Sequence, residues 1–430
     1  MNILNFITNN LLIKVTSANA LLVMVRMIFS LISQKVLAIV IGAEGIAQVG
    51  NFRNVLSFFE QFSILGTSNG LVKYISEFKD NNNKLNDLFS TSIVFASFAA
   101  IVSFIVLFFY SNVINNIIFG SEKDYAYIFK ILAFIVPFMA INANLNALIN
   151  GISDYKIYSK VTFSTVIVSA FLIVFLTIKH KINGSIIAIT LIPIIQFFII
   201  YLFISKAFTR YINIKKFNLR LVFKNELLSY TIMSVIVIFS INYVDVAVRN
   251  LIEKNVSIVE AGYWTAMGSI SKTYMQFSSA IFPLYILPRF AKITNTYDFK
   301  SEIKKIYKML LPLIIVGMIL VFLFKNLIIR TLYTDDFLSM SGLFKWQLLG
   351  DLVKFIALVI AYQFLAKKQI VYFIFTEILS VALFYFFSVY LIDIYGTEGV
   401  VMAHLVRYIL YLLVVLYILR HSFIGENRDL

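Results

Sequence analysis

The residues best placed to do chemistry in this chain are charged side chains embedded in long apolar runs. A charge at the centre of a membrane-spanning helix costs about 2.5–3.5 kcal/mol on insertion scales, so such residues usually face a bundle interior or an aqueous path. The positions of this kind are Arg26, Arg53, Glu60, Asp245, Lys272, Asp351, Lys354, Glu377 and Arg407. These charges are too many to be explained as passive anchors, and they predict a polar interior.

Spacing places several polar residues on common helix faces. Arg53 and Glu60 are seven residues apart, so at about 100° per residue their side chains lie within about 20° of each other. Asn54 and Gln61 lie beside them. This face predicts either the wall of a polar cavity or an internal ion pair that ties helices together.

Three further polar stripes have helical spacing. They are Gln347, Asp351 and Lys354; Asn142, Asn146 and Asn150; and Lys272, Gln276 and Ser279. Amides in lipid often form hydrogen bonds between helices. The asparagines therefore predict either such bonds or a wall that binds sugar hydroxyls.

Composition excludes most other chemistry. Of the 430 residues 60% are hydrophobic and 14% charged, whereas soluble proteins carry about 25% charged residues, so a soluble enzyme is excluded. The absence of cysteine excludes disulfides and thiol nucleophiles, and three histidines make a multi-histidine metal site unexpected. No Gly-rich phosphate loop is present. We therefore predict no catalytic residue, metal or cofactor.

The apolar runs predict an all-α integral membrane protein with twelve transmembrane helices. A spanning helix needs about 20 apolar residues. The predicted spans are 16–41, 46–71, 87–110, 126–150, 157–178, 184–205, 227–251, 261–288, 306–324, 342–366, 370–392 and 398–420.

Basic residues predict the orientation of these spans. Of the 37 Lys and Arg residues, 22 fall on the side of the N-terminus and eight on the other side. Since cytoplasmic connectors carry the excess of positive charge, both termini are predicted to be cytoplasmic. The net charge of +15 is thereby explained by membrane topology, and no nucleic-acid partner is predicted.

The longest basic connector suggests two halves. We predict an N-terminal six-helix lobe over 1–210, a cytoplasmic linker over 211–225, a C-terminal six-helix lobe over 226–420 and a cytoplasmic tail over 421–430. A short internal match, Gln61-Phe62-Ser63 with Gln276-Phe277-Ser278, fits repeated halves, which many transporters use to build a central cavity.

Several motifs resemble those of a known family. They are Gly50-Asn-Phe-Arg53, Leu71-Val-Lys-Tyr74, Leu191-Ile-Pro193, Gly262-Tyr-Trp264, Ser269-Ile-Ser271, Tyr274, Gln276-Phe277, Tyr285-Ile-Leu-Pro288, the run Leu343 to Asp351, and Glu377. In order and spacing they are similar to the Wzx-type polysaccharide flippases of the multidrug/oligosaccharidyl-lipid/polysaccharide (MOP) exporter superfamily. They look especially similar to the translocases for O-antigen units and for lipid III of enterobacterial common antigen. One departure is Lys272, where the lipid III branch is expected to have an acidic residue.

The resemblance implies two six-helix lobes around a central cationic cavity, in the inner membrane of a bacterium. It implies that an undecaprenyl-diphosphate-linked oligosaccharide is flipped by alternating access. The groups expected to bind the diphosphate and glycan are Arg26, Arg53, Asn54, Asn146, Lys272, Gln276 and Arg407, and those for coupling or charge balance are Glu60, Asp351 and Glu377. Membrane lipids, an O-antigen polymerase and a chain-length regulator are the implied partners.

Three alternatives stay open at the level of sequence. A cation-coupled multidrug exporter of the same fold would need an acidic, aromatic cavity, whereas this one is mixed to basic. A peptidoglycan lipid II flippase typically has extra helices for which this chain has no room. A non-transporting scaffold for glycan assembly would not need the buried charges.

Overall fold

The structure, a computed structural model, describes residues 11–121, 123–212, 217 and 220–424, and the elements in these ranges are helical. Helices are expected in lipid, because without water each backbone N–H and C=O must form its hydrogen bond within its own segment. The α-helices are α1 (Leu11–Phe62), α2 (Ser68–Phe78), α3 (Asn82–Phe109), α4 (Ser111–Phe119), α5 (Ala126–Gly151), α6 (Tyr155–Tyr211), α7 (Lys224–Asn255), α8 (Ile258–Ile281), α9 (Leu287–Lys292), α10 (Thr296–Leu323), α11 (Lys325–Leu332), α12 (Leu343–Ala366), α13 (Ile370–Tyr395), α14 (Thr397–Ile418) and α15 (Arg420–Ile424).

Nine helices within the described ranges are long and apolar enough to cross a membrane. Two of them are bent. α1 turns at Gly42 (φ 62°, ψ −168°), and α6 turns at His180 and Lys181, the latter with φ 51°. The bend divides α1 and α6 into two segments each, which makes eleven segments. The 24-residue α8 adds one more and gives the twelve segments predicted. The chain is an all-α, multi-pass membrane protein.

The sequence explains the bend in α1. A helical residue has negative φ, and glycine is the residue that reverses its sign at least cost. Gly42 provides this reversal and stands directly before Ala43-Glu44-Gly45, a short polar stretch between two apolar runs. The bend therefore falls where the sequence separates the first two predicted spans.

The second predicted span, 46–71, is wrong as a continuous helix. α1 ends at Phe62, and the chain then turns through Leu65 (φ 50°) and Gly66 (φ 67°) before α2 begins. Two consecutive left-handed residues cannot continue a right-handed helix. Hydropathy alone did not register this break because the turn is itself apolar.

Two predicted boundaries in the second half also shift. The eighth predicted span, 261–288, is interrupted because α8 passes into a π-helical turn, Phe282–Ile286, before α9. The ninth, predicted to begin at 306, begins as α10 ten residues earlier. There the Asn295 side chain caps the helix by accepting from Asp298 N at 2.8 Å, so a polar first turn extends the helix beyond its apolar run.

The described residues form two compact units. The N-terminal unit contains those within Met1–Ile41 and Asn51–Phe239, and the C-terminal unit those within Gly42–Gly50 and Ser240–Leu430. The predicted lobe limits at 210 and 226 stay a prediction.

Each unit has its own apolar core. In the N-terminal unit the core includes Leu71, Leu85 and Leu148, and Phe217 and Phe223 of the predicted linker pack against it. In the C-terminal unit the core is built around residues such as Val248, Ile252, Phe384, Val400 and Ala403. These two linker residues are therefore packed on the N-terminal unit.

The turn within α6 depends on a close approach that a methyl group would block. A Cβ on Gly184 would lie 1.9 Å from the Leu176 carbonyl oxygen, so we expect Gly184→Ala to destabilise the protein by about 1–3 kcal/mol through overpacking. Gly317, in α10, has open space around its Cα, and Gly317→Ala should be neutral or stabilising by up to about 1 kcal/mol. Thermal unfolding in detergent tests both, and equal effects would contradict the packing.

Candidate functional site

A cluster of buried polar side chains lies inside the C-terminal unit. At its centre is Asp351 on α12, whose side chain is fully buried. One carboxylate oxygen accepts from the hydroxyls of Ser271 (2.6 Å) and Tyr274 (2.5 Å) and from the amide of Gln347 (3.2 Å). The other oxygen lies 3.0 Å from His404 Nε2. Several donors on one buried carboxylate replace the water that it lost.

His404 connects this carboxylate to Arg407. Arg407 Nη2 lies 3.2 Å from His404 Nδ1, and because a guanidinium can only donate, Nδ1 must accept. The ring proton then resides on Nε2 and is donated to Asp351. The three side chains form a directed line of hydrogen bonds from cation through imidazole to carboxylate.

The Arg407 guanidinium lies between two aromatic rings, 4.4 Å from the centroids of both Phe384 and Tyr408. Nη2 also donates to the Tyr408 hydroxyl at 3.1 Å. Its Nε is buried and has no hydrogen-bond partner among the described residues. Arg407 thus keeps donor capacity, and its planar fork is suited to binding two oxygens of a phosphate.

The cluster continues to a second carboxylate. The Tyr411 hydroxyl donates to Glu377 at 3.2 Å, and the Tyr411 ring packs against Tyr408 with centroids 6.0 Å apart. Lys354 Nζ lies 5.6 Å from the centroid of the Tyr408 ring. Cations and carboxylates therefore alternate through the interior of this unit, separated by aromatic rings.

Helical spacing and one glycine position these groups. Gln347 and Asp351 share a face of α12 at i and i+4, as their spacing predicted, and His404 and Arg407 share a face of α14 at i and i+3. A Cβ on Gly350 would lie 2.4 Å from His404 Cδ2. Glycine at that position lets the imidazole approach α12 closely enough to reach the carboxylate.

The structure brings together some of the predicted site residues. Asp351, Glu377 and Arg407 belong to this cluster, whereas Lys272 on α8 is exposed and Gln276 is half-buried. α8 directs the neighbouring Ser271, which is buried, into the cluster.

The other predicted residues belong to the N-terminal unit. There Arg26 and Glu60 are exposed, Arg53 and Asn146 are half-buried and Asn54 is buried. Their assigned roles stay predictions. One asparagine of the predicted stripe is an interhelical link, because Asn142 donates to the Pro193 carbonyl at 2.7 Å.

Sequence reasoning missed Ser271, His404, Tyr408 and Tyr411 as cluster members. A usable signal was present for His404, because it precedes Arg407 by three residues within an apolar run. Ser271 and the two tyrosines gave none, since serine and tyrosine are common in membrane helices and at their ends.

Removing the imidazole should destabilise the protein. His404→Ala leaves an oxygen of Asp351 and a donor of Arg407 unpaired, so we expect a loss of about 1.5–3 kcal/mol, the range for hydrogen bonds to charged groups. His421→Ala, at an exposed histidine of α15, is the matched control and should change stability by less than about 0.5 kcal/mol. Thermal unfolding of both variants in the same detergent tests this prediction. Indistinguishable melting temperatures would contradict the hydrogen bonds assigned to His404.

Curated sequences support the resemblance found in the motifs. The lipid III flippases of Escherichia coli K12 and Shigella flexneri are each 26% identical to the chain over 378 residues, which is 88% of this chain and 90% of theirs. No protein-family model matches the chain.

Solved structures show the fold. A multidrug resistance MATE family transporter of the MOP superfamily, in an inward-facing conformation, superposes with a TM-score of 0.72 at 13% identity and covers 92% of this chain and 95% of its own. The lipid II flippase MurJ, in an inward closed conformation, gives 0.66 at 16% identity, with 95% and 87% covered. This chain is therefore related in sequence to lipid III flippases and has the fold of the MOP superfamily transporters.

Proposed function

We propose that this protein is a flippase that moves an undecaprenyl-diphosphate-linked oligosaccharide from the cytoplasmic to the periplasmic leaflet by alternating access. The observation that carries the proposal is the similarity to lipid III flippases over 88% of the chain. The proposal includes a bacterial inner membrane and cytoplasmic termini, which the distribution of Lys and Arg favours.

The charges suit such a substrate. Its apolar tail can remain in lipid while the anionic diphosphate and the polar glycan cross through a polar path. In this scheme Arg26, Arg53, Lys272 and Arg407 attract the diphosphate, Asn54, Asn146 and Gln276 bind the glycan, and Glu60, Asp351 and Glu377 couple transport or balance charge. Among the last three, the hydrogen bonds to Asp351 favour charge balance.

The cationic groups of the protein fit the diphosphate of the substrate and carry no information about its sugars. An O-antigen unit and lipid III share the polyprenyl diphosphate and differ in glycan, so both fit the same cationic groups. If the unit is an O-antigen repeat, an O-antigen polymerase and a chain-length regulator are the proposed partners.

A cation-coupled multidrug exporter is the second candidate, favoured by the fold shared with a multidrug transporter. The polar cluster of the C-terminal unit argues against a multidrug exporter. Arg407 and Lys354 would repel a cationic drug, and the buried carboxylate of Asp351 is already hydrogen-bonded by His404 and its other partners. A scaffold without transport activity would gain nothing from buried charges that cost free energy on insertion.

Deletion in the native host tests the function directly. We expect loss of surface glycan together with accumulation of the unpolymerised lipid-linked unit, and analysis of that unit would name the sugars. Normal surface glycan with changed sensitivity to cationic drugs would overturn the proposal in favour of an exporter.

Complementation of that deletion tests Arg407. Arg407→Ala should lower glycan export about tenfold or more, consistent with the loss of a charge-assisted bond worth about 1.5–3 kcal/mol. Arg407→Lys should restore only part of it, because lysine keeps the charge and loses the planar fork. Arg420→Ala, which removes an arginine that lies over Tyr417, is the control and should export normally. If the Arg407→Ala variant exports glycan as well as the wild-type protein at an equal protein level, Arg407 does not bind the substrate.

A further inference from the structure

The N-terminal unit contains an apolar groove that the proposed headgroup chemistry does not use. It has a volume of about 640 Å³ and is lined by α3, α5, the second arm of α6 and Phe217. Small-molecule sites have volumes of about 300–1,000 Å³. The groove is therefore large enough to hold part of a ligand.

The shape of the groove comes from a contrast of side-chain size. Ala96, Ser97 and Ala140 leave the space open, and Phe197 and Tyr201 of α6 stand beside them. Few polar groups line it. Asn144 is one, but it already donates to the Ala140 carbonyl and accepts from Ser92. A hydrocarbon chain fits such a surface better than a polar ligand does.

The length of the groove matches one leaflet. Along α3 its lining residues run from Phe89 to Ala100, and these eleven residue steps at about 1.5 Å rise each span about 16 Å. The hydrocarbon core of a bilayer is about 30 Å thick. A chain lying in the groove would therefore reach from one face of the membrane to about its midplane.

Basic residues mark the end of the groove that holds Phe217. Lys84 and Lys224 are exposed and adjoin Leu85 and Phe223, which belong to the same packed cluster as Phe217. Basic residues at such positions attract anionic lipid headgroups.

We propose that this groove seats the part of the polyprenyl tail nearest the diphosphate, in the cytoplasmic leaflet, with the diphosphate beside Lys84 and Lys224. The proposal rests on the proposed function. Lipid surrounds the protein and is as apolar as the groove, so selection cannot come from hydrophobicity. It comes instead from packing of the tail in a concave wall together with attraction of the anionic headgroup.

Filling the groove tests the proposal. The full chain, purified in detergent, is incubated with undecaprenyl diphosphate, and bound lipid is measured by native mass spectrometry in competition with phosphatidylglycerol. Ser97→Trp places a ring in the groove from an exposed position of α3. Ile93→Trp does so from one turn earlier, which keeps the test intact if one variant misfolds. Ile101→Trp, also exposed on α3 but outside the groove, is the matched control.

We expect either groove variant to bind undecaprenyl diphosphate about tenfold more weakly, equivalent to about 1.4 kcal/mol, with Ile101→Trp and phosphatidylglycerol binding unchanged. Unchanged binding in both folded groove variants would overturn the proposal. Equal loss of phosphatidylglycerol would also overturn it, since the groove would then hold any acyl chain. Deletion of the gene reports on flipping independently, so an accumulated lipid-linked unit with unaffected groove variants would leave the function standing and the groove wrong.

Discussion

A carboxylate without access to water needs donors from the protein, and in the C-terminal unit that requirement falls on Asp351. Four side chains from α8, α12 and α14 meet at its two oxygens. Gln347 lies on α12 itself, whereas Ser271, Tyr274 and His404 can reach the carboxylate only if α8 and α14 pack against α12 at one fixed register. The buried charge is a poor source of net stability by itself, because desolvation offsets much of the attraction. Its effect is to select one arrangement of these helices over alternatives that leave it unpaired.

The same carboxylate orders the groups that lie beyond it. His404 can donate to Asp351 through Nε2 only while Nδ1 accepts, and Arg407 is the donor that Nδ1 receives. An anion that binds the Arg407 fork competes for the same N–H groups. In the proposed function, binding of an anion at Arg407 would therefore be linked through the imidazole to the packing of α12 against α14.

The N-terminal unit differs from the C-terminal unit in that linker residues form part of its packing. Its described linker residues Ile212, Phe217 and Phe223 pack on the core of α2, α3, α5 and α6. Positive charge near the membrane is expected of any cytoplasmic loop. Here the exposed Lys84 and Lys224 adjoin Leu85 and Phe223, which pack in the same cluster as Phe217 of the apolar groove, an arrangement that would complement the proposed amphiphile with an anionic head.

The sequence by itself determined that the chain is an all-α, multi-pass membrane protein, because hydropathy depends on local composition. The orientation that the distribution of Lys and Arg favours stays a prediction. The sequence also indicated Asp351, Glu377 and Arg407, since a charge in an apolar run is visible without any knowledge of neighbours. Only the tertiary structure showed that Ser271, Tyr274 and His404 converge on one carboxylate, because those contacts join residues 53 to 80 positions apart. The break after Phe62 likewise depended on backbone dihedrals that an apolar sequence does not reveal. Residue types in the sequence show where a charged or hydrogen-bonding group is available. Which of these groups meet depends on how the helices pack, and the packing depends on all faces of every helix.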